Sequence, residues 1–305
     1  MDILNFFSRD INQILSKYNF NGLEEIRIRN NSPIILKYHN NEIILDKIVS
    51  TESIMQTLSI MCDNSIYSFQ NQICNGFITL NGGHRVGICG NVVFQNDKVV
   101  NIKYISSINF RVARQVKGCS DEVAKNVIKA SDTIYNTLIV SPPGYGKTTI
   151  LRDLIRQLSD GIDKYNFLGQ TIGVADERGE LSAMYKGIPQ NNLGIRTDIL
   201  ENVPKSIGMK MIIRSMNPRI LCTDEIGSNE DVDAINYAVC CGINLIFTAH
   251  GKEFNDLLNN PSLKELIYKY YFDKIIFLTR TDMPGQIKSI YKLDRSIKQY
   301  VREER

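Results

Sequence analysis

The segment Ile139-Val140-Ser141-Pro142-Pro143-Gly144-Tyr145-Gly146-Lys147-Thr148-Thr149 places two glycines, a lysine and two hydroxyls where an apolar run ends. Thr137 to Val140 reads as a buried strand, and Ile150 to Leu158 has the apolar spacing of a helix. Strand, glycine-rich turn, Gly-Lys-Thr and helix form the context of a phosphate-binding loop. Gly144 and Gly146 let successive N–H groups face a polyphosphate, and the helix N-terminus adds a favourable partial positive charge. Pro143, Tyr145 and Thr149 complete the expected nucleotide-binding stretch. Lys147 is expected to reach the outer phosphates of ATP, and the Thr148 hydroxyl to ligate Mg²⁺. The strict pattern wants glycine where this chain has Ser141, a small residue that tolerates the turn.

A second strand, Arg219 to Thr223, runs into Asp224-Glu225-Ile226-Gly227. An acidic pair at a strand end downstream of such a loop reads as a Walker B segment. Asp224 is expected in the metal's shell, and Glu225 is expected to orient or deprotonate water for in-line phosphoryl transfer. Thr171 to Asp176 ends in Glu177-Arg178-Gly179-Glu180, and Leu245 to Phe247 ends in Thr248-Ala249-His250-Gly251. Open α/β sheets bind ligands beyond the carboxyl ends of their parallel strands. Lys147, Thr148, Glu177, Asp224, Glu225 and His250 are therefore expected in one crevice, with His250 at a γ-phosphate-sensing place.

Phosphoryl transfer in ring-forming ATPases draws on a cation, often from a neighbouring subunit. Arg85, Arg111, Arg114, Arg178, Arg196 and Arg214 are the candidates. Arg214 leads, because it shares a helix face with Lys210 ahead of the Walker B strand; Arg85 follows, because Gly82-Gly83-His84-Arg85 reads as an exposed turn.

The elements that carry these residues divide the chain. Ile3, Leu4, Phe7, Ile11, Ile14 and Leu15 have helical spacing over residues 1–18, a first amphipathic helix for its own domain, a partner or a membrane surface. Leu23 to Asp46 alternates as strands broken by Asn30-Asn31-Ser32-Pro33 and Asn40-Asn41. Thr51 to Met61 and Asn64 to Gln72 read as helices; Ile78 to Leu80, Arg85 to Cys89, Asn91 to Gln95 and Val99 to Ser106 read as antiparallel strands. After Gln115-Val116-Lys117-Gly118-Cys119, Ser120 caps a helix over Asp121 to Ala130, and strand–helix alternation begins. The tail from Lys288 to Arg305 reads as a strand and a solvated helix. The expected fold class is α/β: an N-terminal α+β domain over 1–116, then a RecA-like P-loop NTPase domain over 117–305 with a mainly parallel sheet.

At 305 residues the chain is long enough for two domains. Its formal charge of +3 is too small to argue for a nucleic-acid partner, and no basic stripe carries interleaved aromatics. Seven cysteines without metal-ligand spacing read as reduced core thiols of a cytosolic protein. No stretch approaches the roughly 18 uncharged apolar residues of a membrane span, and Met1 to Phe7 does not read as a signal peptide.

The P-loop, the Asp176-Glu177-Arg178-Gly179-Glu180 box, Ile213-Arg214-Ser215-Met216 and Thr248-Ala249-His250-Gly251 together resemble the stage III sporulation protein AA family, relatives of the type II/IV secretion ATPases. Gly82-Gly83-His84-Arg85-Val86-Gly87 and Asn109-Phe110-Arg111-Val112-Ala113-Arg114 resemble that family's pre-ATPase domain, so the likeness runs from about residue 20 onward. Secretion ATPases usually carry two arginines where Lys210 and Arg214 stand. The resemblance implies an ATPase that assembles as a hexameric homo-oligomer on the mother-cell side of the forespore membrane. It would be cytoplasmic and held peripherally by membrane-embedded sporulation channel proteins, whose secretion-like channel it powers. Two other readings stay open: a nucleic-acid-dependent motor on the same core, and a nucleotide-binding scaffold with little turnover.

Overall fold

The computed structural model describes residues 3–39, 41–279 and 285–303. The chain forms two compact units. One comprises Met1–Arg114 with Ala183–Gln190, the other Gln115–Ser182 with Asn191–Arg305.

The first unit is built on an antiparallel sheet of six strands, in the order Asn41–Ile48, Pro33–Tyr38, Leu23–Arg29, Lys98–Arg111, Arg85–Gln95 and Phe77–Thr79. Alternation explains it. Ile26 and Ile28 face Phe110 and Ile108 in register, and all four are buried, as are Ile34, Leu36, Val86 and Ile88. That face is covered by Ile11 and Leu15 of the helix Arg9–Leu15 and by Ile54, Leu58 and Met61 of the helix Thr51–Met61. Ser50 caps the latter, its hydroxyl accepting the Ser53 N–H at 3.2 Å. The segment 183–190 belongs to this unit through side chains: Tyr185 and Lys186 both bond Asp63, and Gln190 accepts the Gly82 N–H at 2.8 Å.

The second unit holds an eight-stranded sheet in the order Thr197–Glu201, Ile172–Asp176, Ile220–Thr223, Asn244–His250, Thr137–Ser141, Lys274–Leu278, Ile287–Asp294 and Gln299–Arg302. The first six strands are parallel and the last two antiparallel. Successive residues of the inner strands point to opposite apolar layers. Leu138, Val140, Leu245, Phe247 and Ile275 pack with the helices Lys205–Met216, Asn229–Cys240 and Pro261–Tyr268. Ile139, Ile246, Ile276, Val174 and Cys222 pack with Asp121–Val127 and Lys147–Asp160 on the other face. A sheet buried on both sides needs the near-continuous apolar runs that the sequence shows. This is a mixed α/β chain whose second unit has a RecA-like fold.

Several boundaries differ from the sequence expectation. The helix after Ser120 ends at Val127, because Ile128–Ala130 leaves it to pair with Thr133–Ile134. The Ser120 side chain does not cap it: its hydroxyl donates to Asp153 Oδ2 at 2.8 Å. The stretch 64–72 is not one helix but a turn of 3₁₀ helix at Ile66–Phe69 followed by Gln70–Cys74, and its Ser65 makes no capping bond. The first helix is likewise split, into a 3₁₀ turn Ile3–Phe6 and the helix Arg9–Leu15. Within the described tail the expected solvated helix is instead a second strand, Gln299–Arg302. Asp294 accepts the Ser296 N–H at 2.9 Å and turns the chain back, and Tyr300 donates to the Phe272 carbonyl at 2.8 Å. Asn40 of the expected Asn40-Asn41 turn, the first two residues and the last two lie outside the described residues.

Candidate active site

Four adjacent parallel strands, ending at Asp176, Thr223, His250 and Ser141, deliver their loops to one edge of the second unit's sheet. The phosphate loop leaves the last of these. Gly144 and Gly146 sit at φ 78° and 84°, in the left-handed region that glycine enters without steric cost, and Gly146 precedes the 14-residue helix Lys147–Asp160. That helix has no acidic residue in its first turn, which suits an anion at its N-terminus.

Lys147 is only 5% exposed. Its ammonium donates to the Ser141 and Pro142 carbonyls at 2.9 and 3.2 Å and to His250 Nδ1 at 3.1 Å. Burial pulls its pKa below the ordinary lysine value, and Asp224 and Glu225 oppose that shift. Because an ammonium can only donate, His250 Nδ1 accepts and the ring's proton stands on Nε2. Nε2 in turn faces Glu225 Oε1 at 3.0 Å, while Arg178 approaches the other carboxylate oxygen at 3.1 Å. Lys147, His250, Glu225 and Arg178 thus form one continuous polar chain.

A second chain starts from Thr148. Its hydroxyl donates to Asp224 Oδ2 at 2.6 Å, and the Thr248 hydroxyl bonds Asp224 Oδ1. A hydroxyl and a carboxylate are hard oxygen donors, and Mg²⁺ is commonly held by one or two such groups plus phosphate and water. The pair fits that ion. Glu177 enters from the neighbouring strand and pairs with Lys205 at 3.4 Å. Glu177, Arg178, Lys205, Glu225, Ser228 and His250 line a crevice of about 560 Å³.

The site therefore gathers Lys147, Thr148, Glu177, Asp224, Glu225 and His250. Pro143, Tyr145 and Thr149 lie in the loop itself and at the start of its helix. Arg214 is elsewhere: it is exposed and stacks over Tyr237 at 5.6 Å. It also follows Lys205 by nine residues on the same helix, roughly 14 Å along its axis at 1.5 Å per residue. Arg85 belongs to the first unit, over the Phe77 ring at 3.7 Å.

Three participants were not singled out from sequence. Asp176 opens the charged box but is 3% exposed, and it accepts the Glu180, Leu181 and Ser182 N–H groups, so it shapes the loop that presents Glu177. Thr248 is fully buried beneath Asp224. Lys205 is the first residue of its helix, where a cation opposes the helix dipole; that misfit was the available signal.

Comparisons with known proteins agree with this architecture. Stage III sporulation protein AA of Bacillus subtilis (strain 168) is 39% identical over 275 residues, covering 90% of this chain and 88% of that protein. The Yersinia pseudotuberculosis ATPase DotB superposes with a TM-score of 0.62 at 13% identity, over 96% of this chain and 81% of that one. The pilus retraction motor PilT, solved with bound ADP, gives 0.59 at 14% identity, over 91% and 78%. Among the described residues no helix is long and apolar enough to cross a membrane. The family defined as sporulation stage III, protein AA matches residues 1–298, and this chain belongs to it.

Proposed function

We propose that this chain hydrolyses ATP with Mg²⁺ and that the hydrolysis powers a secretion-like channel between mother cell and forespore during endospore formation. The observation that carries the reading is the joining of the phosphate loop to the Walker B acids by two short polar chains, Lys147–His250–Glu225 and Thr148–Asp224. In it, the loop amides and Lys147 bind the phosphates, and Thr148 and Asp224 hold the metal. Mg²⁺ supplies neutralisation of charge on the phosphate oxygens. Glu225 takes the proton from a water whose oxygen bonds the γ-phosphorus as the bond to the β-γ bridging oxygen breaks. His250 holds Glu225 oriented, and Glu177 is another carboxylate facing the same crevice. The working form is a ring of identical subunits, six in number by likeness to the secretion ATPases. It sits on the cytoplasmic, mother-cell side and docks on membrane-embedded channel proteins; nucleic acid has no part in it.

Phosphate release from ATP by the purified full-length chain, with and without Mg²⁺, tests this. Metal-dependent turnover is expected, and Glu225→Gln should slow it roughly 10²-fold, the scale of losing a general base, while still binding nucleotide. Binding with no turnover under any assembly condition would leave a scaffold. Unchanged turnover in Glu225→Gln would move the base to Glu177.

A further inference from the structure

Glu225 has an unusual backbone. Its φ of 54° lies in the left-handed region, which a residue with a Cβ enters only at a steric cost. Three hydrogen bonds hold it there. The Glu225 N–H donates to the Thr248 hydroxyl at 2.8 Å, the next amide, Ile226 N–H, donates to the Thr248 carbonyl at 2.9 Å, and Lys205 Nζ donates to the Glu225 carbonyl at 2.7 Å. Both faces of the Glu225 residue's main chain are therefore tied to other elements.

The proton count at Thr248 is forced. A backbone N–H can only donate, so the hydroxyl accepts from Glu225 and spends its single proton on Asp224 Oδ1. One hydroxyl thus links the metal-facing carboxylate to the peptide of the neighbouring acid. Lys205 makes the matching tie from the opposite side. It spans the Glu225 and Asp224 carbonyls, at 2.7 and 3.5 Å, and the Glu177 carboxylate at 3.4 Å. Those three acceptors offset the unfavourable placement of a cation at the first turn of its helix. The helix Lys205–Met216 and the strand Asn244–His250 are both packed into the core, so the two ties rest on rigid elements.

We propose that Lys205 and Thr248 are positioning residues that lock the Asp224–Glu225–Ile226 backbone in its left-handed turn and so aim the Glu225 carboxylate into the crevice. The inference rests on the reading of Glu225 as the base. Its physical content is that neither residue touches the nucleotide itself, whereas a displacement of about 1 Å in a reacting group can cost roughly 10²-fold in rate.

The test uses the full-length chain carrying Lys205→Met, Thr248→Val or Thr248→Ser, with ADP binding measured in EDTA, where Asp224 holds no metal, beside kcat and KM for ATP with Mg²⁺. Lys205→Met and Thr248→Val should lower kcat by roughly 10- to 10²-fold while ADP affinity holds. Thr248→Ser, which keeps the hydroxyl, should retain most of the rate. Placing Lys205→Met in the Glu225→Gln background should cost little more, because residues that act as a unit are not additive. An equal further loss there would mean that Lys205 acts on the phosphates directly, and would overturn the proposal. So would normal kcat in both Lys205→Met and Thr248→Val when Glu225→Gln is slow. Normal turnover in Glu225→Gln itself would instead remove the base assignment, and this inference with it.

Discussion

Lys147 shows how burial and chemistry are reconciled at one residue. An ammonium that is 5% exposed is tolerable because two carbonyls and an imidazole nitrogen accept its three protons. Lys147→Ala should abolish nucleotide binding, read by titration with ADP, since it removes the counter-charge to the phosphates; retained micromolar binding would deny the loop its proposed role. His84 presents the opposite problem. It is 8% exposed, its Nδ1 accepts the Ala113 N–H at 3.1 Å, and burial pushes its pKa from 6.5 to about 4. The folded chain keeps it neutral while the unfolded chain protonates it below 6.5. Stability should therefore fall as pH drops from 6.5 towards 4 and lose nothing more from this group below that, by on the order of 3 kcal/mol. Urea unfolding at pH 7 and pH 4.5 should show a smaller difference in His84→Gln than in the parent; equal differences would acquit the histidine. Much of the candidate site was legible because Lys147, Thr148, Asp224, Glu225 and His250 lie in contiguous motifs. Lys205 was not, since its partners are backbone carbonyls about twenty residues away in sequence. The left-handed turn at Glu225 leaves no mark in residue type.

At the scale of elements, strands were easier to foresee than helix ends. Parallel strands buried on both faces advertise themselves as apolar runs, so Thr137–Ser141, Ile172–Asp176, Ile220–Thr223 and Asn244–His250 were all visible. The order in which they lie side by side was not, because register across a crossover depends on packing between distant segments. The helix past Val127 and the tail went astray for a shared reason: both segments mix β-branched and charged residues, and a short hairpin with the adjacent strand overrides such weak propensities. Gly173 illustrates packing that sequence only hints at. A Cβ there would meet Ile212 Cγ2 and come within 3.1 Å of Pro218 Cγ, so the glycine lets the helix Lys205–Met216 lie close on its strand. Gly173→Ala should destabilise the chain by about 1–3 kcal/mol, the range for overpacking a core. Thermal unfolding followed by circular dichroism would register it, and an unchanged midpoint would mean that the helix shifts freely. Because that helix begins with Lys205, the same substitution should also slow turnover.

At the scale of the whole molecule, the question is where the activating cation comes from. Arg178 and Lys205 stand beside Glu225 within one chain. Arg214 lies at the far end of the helix that Lys205 begins, exposed against Tyr237 and away from its own chain's crevice, so any part it takes in the chemistry would be in another copy's crevice. The trans-acting reading requires that each head-to-tail interface of a closed ring bring one subunit's Arg214 to its neighbour's Glu225. Specific activity should then rise with protein concentration across the range in which the chain assembles. Mixing gives a sharper test. Arg214→Ala and Glu225→Gln should each be slow alone, since every interface lacks one partner. Co-assembled, some interfaces pair an intact Arg214 from one variant with an intact Glu225 from the other, and activity should return. Recovery depends only on sharing between subunits, not on the stability of either variant. If the mixture stays as slow as its components while native-size assemblies form, each site is self-sufficient, and Arg178 becomes the cation to remove next.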